Sequence, residues 1–172
     1  PGFIDIHTHY DPQVLWDGSL SPSCWHGVTS VVAGNCGYSI APTRPSDRAS
    51  LVRTLDKVED MRIATLEAGV EWDFETYGEY LDSVRRRGTL INFGGYVGHT
   101  PVRLYVMGQD AYEREATEAE IVEMERVVAE ALLGGALGVS TDRAGFHLGD
   151  GGRPVPSISA SQAETEALLR VT

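Results

Sequence analysis

Two periods of apolar and polar positions alternate along this chain. Short runs rich in apolar and β-branched residues lead into longer stretches with an apolar residue every three or four positions, the pattern of strands feeding helices. The first run is Gly2–His7. After a loop through Asp11-Pro12 and Asp17-Gly18, Ser21–His26 has room for one or two helical turns, and Val28–Ala33 predicts a buried second strand ending at Gly34. Ser46 is placed to cap a helix beginning near Asp47, with Leu51, Leu55 and Val58 on one face. A second helix is predicted over Phe74–Arg87, where Tyr77, Tyr80, Leu81 and Val84 share a face and Gly88 ends it. Its basic end, Arg85-Arg86-Arg87, opposes the negative pole of the helix.

Thr89–Tyr96 predicts a third strand, followed by Gly98-His99-Thr100-Pro101 and a short apolar segment to Met107. Thr117-x-x-Glu120 has capping-box spacing and opens a helix with Ile121, Met124, Val127, Val128, Ala131 and Leu132 on one stripe, closed by Gly134-Gly135. Ala136–Ser140 is the fourth strand, and a glycine-rich loop over Thr141–Ser157 leads to a last helix from near Ser159. Four strands, each followed by helical material, predict an α/β fold with parallel pairing. A complete (β/α)8 TIM barrel takes about 250 residues; with 172 residues, half a barrel is the economical reading. A small open parallel sheet is the alternative, although no Gly-x-Gly-x-x-Gly turn follows any strand to mark a dinucleotide site. Pro1 opens almost directly onto a strand and a helical pattern still runs at Thr172, so both ends read as cut from something longer.

Composition narrows the partners. Apolar residues at 42% and charged residues at 23% fit a globular domain, and a formal net charge of -11 makes nucleic acid and anionic membranes poor partners. Cys24 and Cys36 are the only cysteines, which is no disulfide framework and fits a reducing cytosol. No apolar run approaches the roughly 20 residues of a bilayer span, and no signal-peptide pattern opens the chain. The expectation is a cytoplasmic protein acting on a small molecule.

The candidate chemistry gathers at predicted strand ends. Side chains two apart on a strand share a face, so His7 and His9 can present two imidazoles to one cation at the end where barrel enzymes keep their active sites. Asp5 and Asp11 flank the pair, and Asp5 either holds a ring nitrogen or caps the loop backbone. Cys36, just past the second strand in Gly34-Asn35-Cys36-Gly37, is either a thiolate ligand of the same metal or a small buried residue. Cys24, beside Trp25, reads as core packing. His99 follows the third strand and either faces the mouth, where it could orient substrate, or bonds loop backbone. Arg143 could pair with a substrate carboxylate, whereas His26 and His147 lack supporting neighbours; the loop carrying His147 could cover a pocket.

Taken in order, Gly2-Phe3-Ile4-Asp5-Ile6-His7-Thr8-His9, Gly34-Asn35-Cys36-Gly37, Gly98-His99 with Arg103, and Gly138-Val139-Ser140-Thr141 resemble the N-acyl-D-amino-acid deacylases (D-aminoacylases) of the amidohydrolase superfamily. The likeness runs over nearly the whole chain. Its first motif is shared with hydantoinases and dihydroorotases, while the Asn-Cys-Gly element is far more specific. The resemblance implies a zinc site of one or two ions in which His7 and His9 are ligands and Cys36 is a ligand able to bridge two metal positions. It also implies hydrolysis of an N-acyl-D-amino acid to a carboxylate and a free D-amino acid. The family's further histidine ligands, on strands five and six, and its general-base aspartate, on strand eight, are expected beyond Thr172. No counterpart of the family's small β-sandwich precedes the strands, so residues 1–172 are expected to be an N-terminal part of the barrel, strands one to four. Cyclic-amide hydrolysis is the competing enzyme reading, but it normally places a carboxylated lysine at the end of strand four, and Ala136–Thr141 has no lysine. A non-catalytic half-barrel is the reading from another class; open parallel edges lead to an expectation of self-association in either case.

Overall fold

Parallel pairing organises the chain in the computed structural model, which describes residues 1–172. The strands are β1 (Phe3–Asp5), β2 (Val28–Ala33), β3 (Asn92–Gly95), β4 (Val97–Gly98) and β5 (Val139–Ser140). The helices are α1 (Arg48–Glu59), α2 (Ile63–Gly69), α3 (Tyr77–Arg87), α4 (His99–Met107), α5 (Glu118–Leu133) and α6 (Gln162–Arg170). β1, β2 and β3 pair side by side in parallel, and β4 pairs in parallel with β5. A backbone bond joins the two groups: Leu137, just before β5, donates to the Gly95 carbonyl of β3 at 2.9 Å. β3 and β4 are therefore two halves of the predicted third strand, the first bonded to β2 and the second to β5. The break falls at Tyr96, where the chain presses so closely on the preceding turn that a Cβ on Gly34 would lie 2.1 Å from the Tyr96 carbonyl oxygen.

Strand order follows chain order; two 3-10 turns, Gln13–Leu15 and Ser23–His26, carry the first crossover and α-helices the later ones, as in successive βα units of a barrel. The core lies between the sheet and its helices, with Val31, Tyr38, Leu51, Tyr80, Val97, Met124 and Leu168 in one apolar cluster. Fully burying a side chain such as Leu51 contributes about 1.5–3 kcal/mol. Both expected caps of α5 form: the Thr117 hydroxyl accepts from the Glu120 N–H while the Glu120 carboxylate accepts from the Thr117 N–H.

Several boundaries shift from expectation. α3 begins at Tyr77, behind a Thr76–Glu79 capping box, because that box competes successfully with continuing the helix back to Phe74. Asp47, not Ser46, is the residue before α1, and its side chain makes no capping bond. Ser161 caps α6 by accepting from Glu164, and Pro156–Ser159 forms a separate 3-10 turn. The segment after β4, read as a short apolar run, is helix α4. Pro101 sits in its first turn, where no intrahelical N–H is needed, and burial of every residue from His99 to Leu104 hides the usual polar face. β1 covers only Phe3–Asp5 of the expected Gly2–His7. It lies at the edge of its sheet, and consecutive Phe3 and Ile4, which point to opposite faces, are 71% and 65% exposed. No helix is long and apolar enough to cross a membrane.

Candidate metal centre

The site forms just past the ends of β1 and β2. Beyond β1 the chain stays tied to its neighbour, because the Thr8 N–H donates to the Val32 carbonyl at 3.0 Å and its hydroxyl reaches the same oxygen at 2.9 Å. His7 and His9 flank this anchored residue, with ring centroids 5.5 Å apart. Cys36 comes from the turn after β2 and has φ 54°, a left-handed conformation uncommon for a side chain of this kind. The surroundings hold it there. The Asp11 carboxylate accepts the Gly34 N–H at 2.9 Å, and Asn35 donates to the Thr8 and Val32 carbonyls at 3.2 and 3.0 Å. Ser140 accepts the Gly37 N–H at 3.1 Å, and Thr100 donates its N–H to Gly37 at 3.0 Å. Cys36 Sγ then lies 3.3 Å from His7 Nε2, and one ligand atom each from His7, His9 and Cys36 fall within 4.8 Å of one another.

Burial dominates the ionisation of the groups at that point. His9 is pushed down to about 4, chiefly by burial and then by the charges of His7 and His147, so its imidazole is neutral at pH 7 and able to ligate. Its buried Nδ1 has no hydrogen bond and stands 3.3 Å from Glu59 Oε1 at the end of α1. Burial pushes Glu59 up to about 7 against the opposing charge of His147, with Asp60 adding to the rise. Burial also raises the Cys36 thiol, reinforced by Glu59 and Asp142. Two donors on one tetrahedral zinc ion sit roughly 3.3–3.8 Å apart, given metal–nitrogen and metal–sulfur lengths of about 2.0 and 2.3 Å. Two imidazoles and a thiol at the observed spacing therefore fit such an ion after small side-chain rotations, and its charge would stabilise the thiolate that burial disfavours.

The other candidates separate from this group. Asp5 accepts the His7 backbone N–H at 3.2 Å, so it caps the loop and holds no imidazole in this structure. His99 does not face the mouth: it is 1% exposed, its Nδ1 lies 2.9 Å from the Thr141 hydroxyl, and its Nε2 lies 2.7 Å from Glu164. As the first residue of α4 it turns into the interior, where Glu164 also pairs with fully buried Arg103. Arg143 is exposed and donates to the Ala160 carbonyl at 3.3 Å. Cys24 is only half-buried and lies outside the main core.

Sequence reasoning missed the acidic and aromatic surround. His147 pairs with Asp142, packs edge-on to Tyr38 with centroids 5.9 Å apart, and lies close enough to His9 and Glu59 to bias the ionisation of both. Asp11 is buried with Oδ1 unpartnered, and burial pushes it up to about 7 even though the Gly34 N–H opposes the shift. In the sequence Asp11 stands beside the pair and the loop carrying His147 is read as able to cover a pocket, with no role for the ring itself; Glu59 and the His147 ring join the site through tertiary packing.

A parallel sheet that gathers two imidazoles and a thiol beyond the ends of adjoining strands has the architecture of the barrel metal-hydrolases. The Amidohydrolase family model matches residues 1–170, and the chain belongs to that family. D-aminoacylase of Alcaligenes xylosoxydans xylosoxydans is 37% identical over 141 residues, a span covering 82% of this chain and 26% of that protein. A D-aminoacylase crystal structure superposes with a TM-score of 0.75 at 32% identity, covering 99% of this chain and 31% of that one. N-acyl-D-glutamate deacylase from Bordetella bronchiseptica, solved with zinc and a phosphonate mimic of the tetrahedral intermediate, gives a TM-score of 0.70 at 32% identity, with the same two coverages of 99% and 31%. The chain spans about a third of the length of the relatives it matches. Its α/β fold of parallel strands and helices is similar to theirs and consistent with part of a TIM barrel.

Proposed function

We propose that the protein carrying this chain is a zinc-dependent hydrolase that cleaves the linear amide of an N-acyl-D-amino acid, releasing a carboxylate and a D-amino acid. The convergence of His7, His9 and Cys36 is the observation that carries this reading. Zinc, when bound, supplies Lewis-acid polarisation of the amide carbonyl and a water of lowered pKa. His7 and His9 would hold it through ring nitrogens, and Cys36 through its sulfur. Glu59 Oε1, 3.3 Å from His9 Nδ1, is placed to accept a hydrogen bond from that nitrogen after a small ring rotation, which would leave the other nitrogen for the metal. Exposed Arg143 is the side chain proposed to meet the substrate carboxylate. The absence of lysine from Ala136–Thr141 supports linear over cyclic amides.

The test uses the longest polypeptide in this reading frame, loaded with Zn2+, on N-acetyl-D-amino acids, their L-enantiomers and hydantoin. Release of D-amino acid, abolished by a chelator and restored by Zn2+, is the expected result. Turnover of hydantoin alone, or chelator-insensitive release, overturns the proposal.

A further inference from the structure

The Cys36 turn is tied to a strand that is not its neighbour. Cys36 follows β2, whereas Ser140 ends β5, and β3 and β4 lie between them in the sheet. Gly98, the last residue of β4, makes the reach possible: a Cβ there would lie 2.7 Å from the Gly37 carbonyl oxygen and the Ser39 nitrogen. With no side chain in the way, the Ser140 hydroxyl accepts the Gly37 N–H at 3.1 Å and donates to the Gly34 carbonyl. One hydroxyl thus closes both ends of the four-residue turn that holds Cys36 at positive φ. The adjoining residue is anchored too, since Thr141 bonds His99, which is locked by Glu164 and Arg103 in the interior.

We propose that Ser140 is a positioning residue that sets the place of the Cys36 sulfur relative to His7 and His9. This inference rests on the metal reading of those three side chains. Without the hydroxyl, the Gly37 N–H and Gly34 carbonyl lose their shared partner and the left-handed turn is free to relax, moving the sulfur from the imidazoles. Outer contacts of this kind typically contribute 10–100-fold in metal affinity.

Cd2+ is the probe, because its thiolate bond gives an ultraviolet charge-transfer band that reports the sulfur directly. The parent chain, Ser140→Ala and Ser140→Thr are titrated with Cd2+, and folding is followed by circular dichroism. Ser140→Ala is expected to keep its secondary structure but bind about 10–100-fold more weakly, with a diminished band, while Ser140→Thr, which retains the hydroxyl, stays within about threefold of the parent. Equal affinity and band in a folded Ser140→Ala overturn the positioning role while leaving the metal site standing. A parent chain with no thiolate band overturns the metal reading itself. Should the alanine variant fail to fold, the threonine variant carries the test: a parent-like band supports the role, and a folded variant without the band refutes it.

Discussion

Two histidine-centred clusters lie at strand ends in this chain, and they differ in what they leave unsatisfied. Around His99 nearly every strong group has a partner: both ring nitrogens are engaged, Glu164 binds His99 and Arg103, and Arg103 also donates to the Ala111 and Arg114 carbonyls at 3.2 and 2.7 Å, leaving only its Nε without one. The cluster is sealed, with Glu164 and Arg103 at 0% exposure. Around His9 more is left open. A buried ring nitrogen lacks a hydrogen bond, a buried carboxyl oxygen of Asp11 is unpartnered, and the thiol is only half-buried. Satisfied polar groups lock a fold, whereas unsatisfied ones beside an accessible surface leave room for a ligand.

The largest effect expected from this contrast is on stability at the sealed cluster. Replacing Glu164 with leucine strands Arg103 in the interior and is expected to cost about 3–5 kcal/mol in urea denaturation. Cys36→Ala, in the absence of metal, is expected to cost less than about 1 kcal/mol, because it removes one half-buried sulfur. Equal costs would erase the distinction. The same cluster predicts acid sensitivity. Burial alone would raise Glu164, but hydrogen bonds from His99 and Arg103 and the charge of Arg103 outweigh it and hold the carboxyl below its ordinary 4.5. A lowered folded value means the stabilisation is complete above pH 4.5 and lost as pH falls through the folded value. Denaturation series across that window in the parent and Glu164→Gln check it: the parent loses stability on acidification and the variant shows a flatter profile.

Metal affinity comes next in size. His7→Ala, His9→Ala and Cys36→Ala are each expected to weaken Zn2+ binding by more than about 100-fold in competition with a chromophoric chelator, since each removes a direct donor. Glu59→Gln sharpens the comparison, because it keeps the shape beside His9 Nδ1 but removes the carboxylate charge; a loss of about tenfold is expected. Arg143→Ala gives the smallest structural effect. Its one recorded bond is to the Ala160 carbonyl, so unfolding free energy should stay within about 0.5 kcal/mol while KM for an N-acyl-D-amino acid rises.

Legibility in the sequence followed whether local chemistry or distant packing made the decision. The strand at Val28–Ala33 and the start of α5 were legible because a β-branched run and the Thr117–Glu120 capping box act within a few residues, whereas the strand expected over Ala136–Ser140 pairs only at Val139–Ser140. α2 was not: its seven residues carry no capping bond and only Leu66 is buried. α4 was hidden by all-round burial and by Pro101. At the site, His7, His9 and Cys36 were visible because they stand at predicted strand ends. Glu59 and His147 were not, since they arrive from the end of a helix and from a loop more than a hundred residues downstream of β2. His99 shows the limit of reading position alone. It does follow the third strand, yet it begins a helix that carries its ring into the interior.

Metal content of the purified protein after exhaustive dialysis, determined side by side for the parent and Cys36→Ala, tests the proposed centre most directly. Retention of zinc by the parent with near-complete loss in the variant is the predicted result. Equal zinc in both would contradict a centre built on His7, His9 and Cys36.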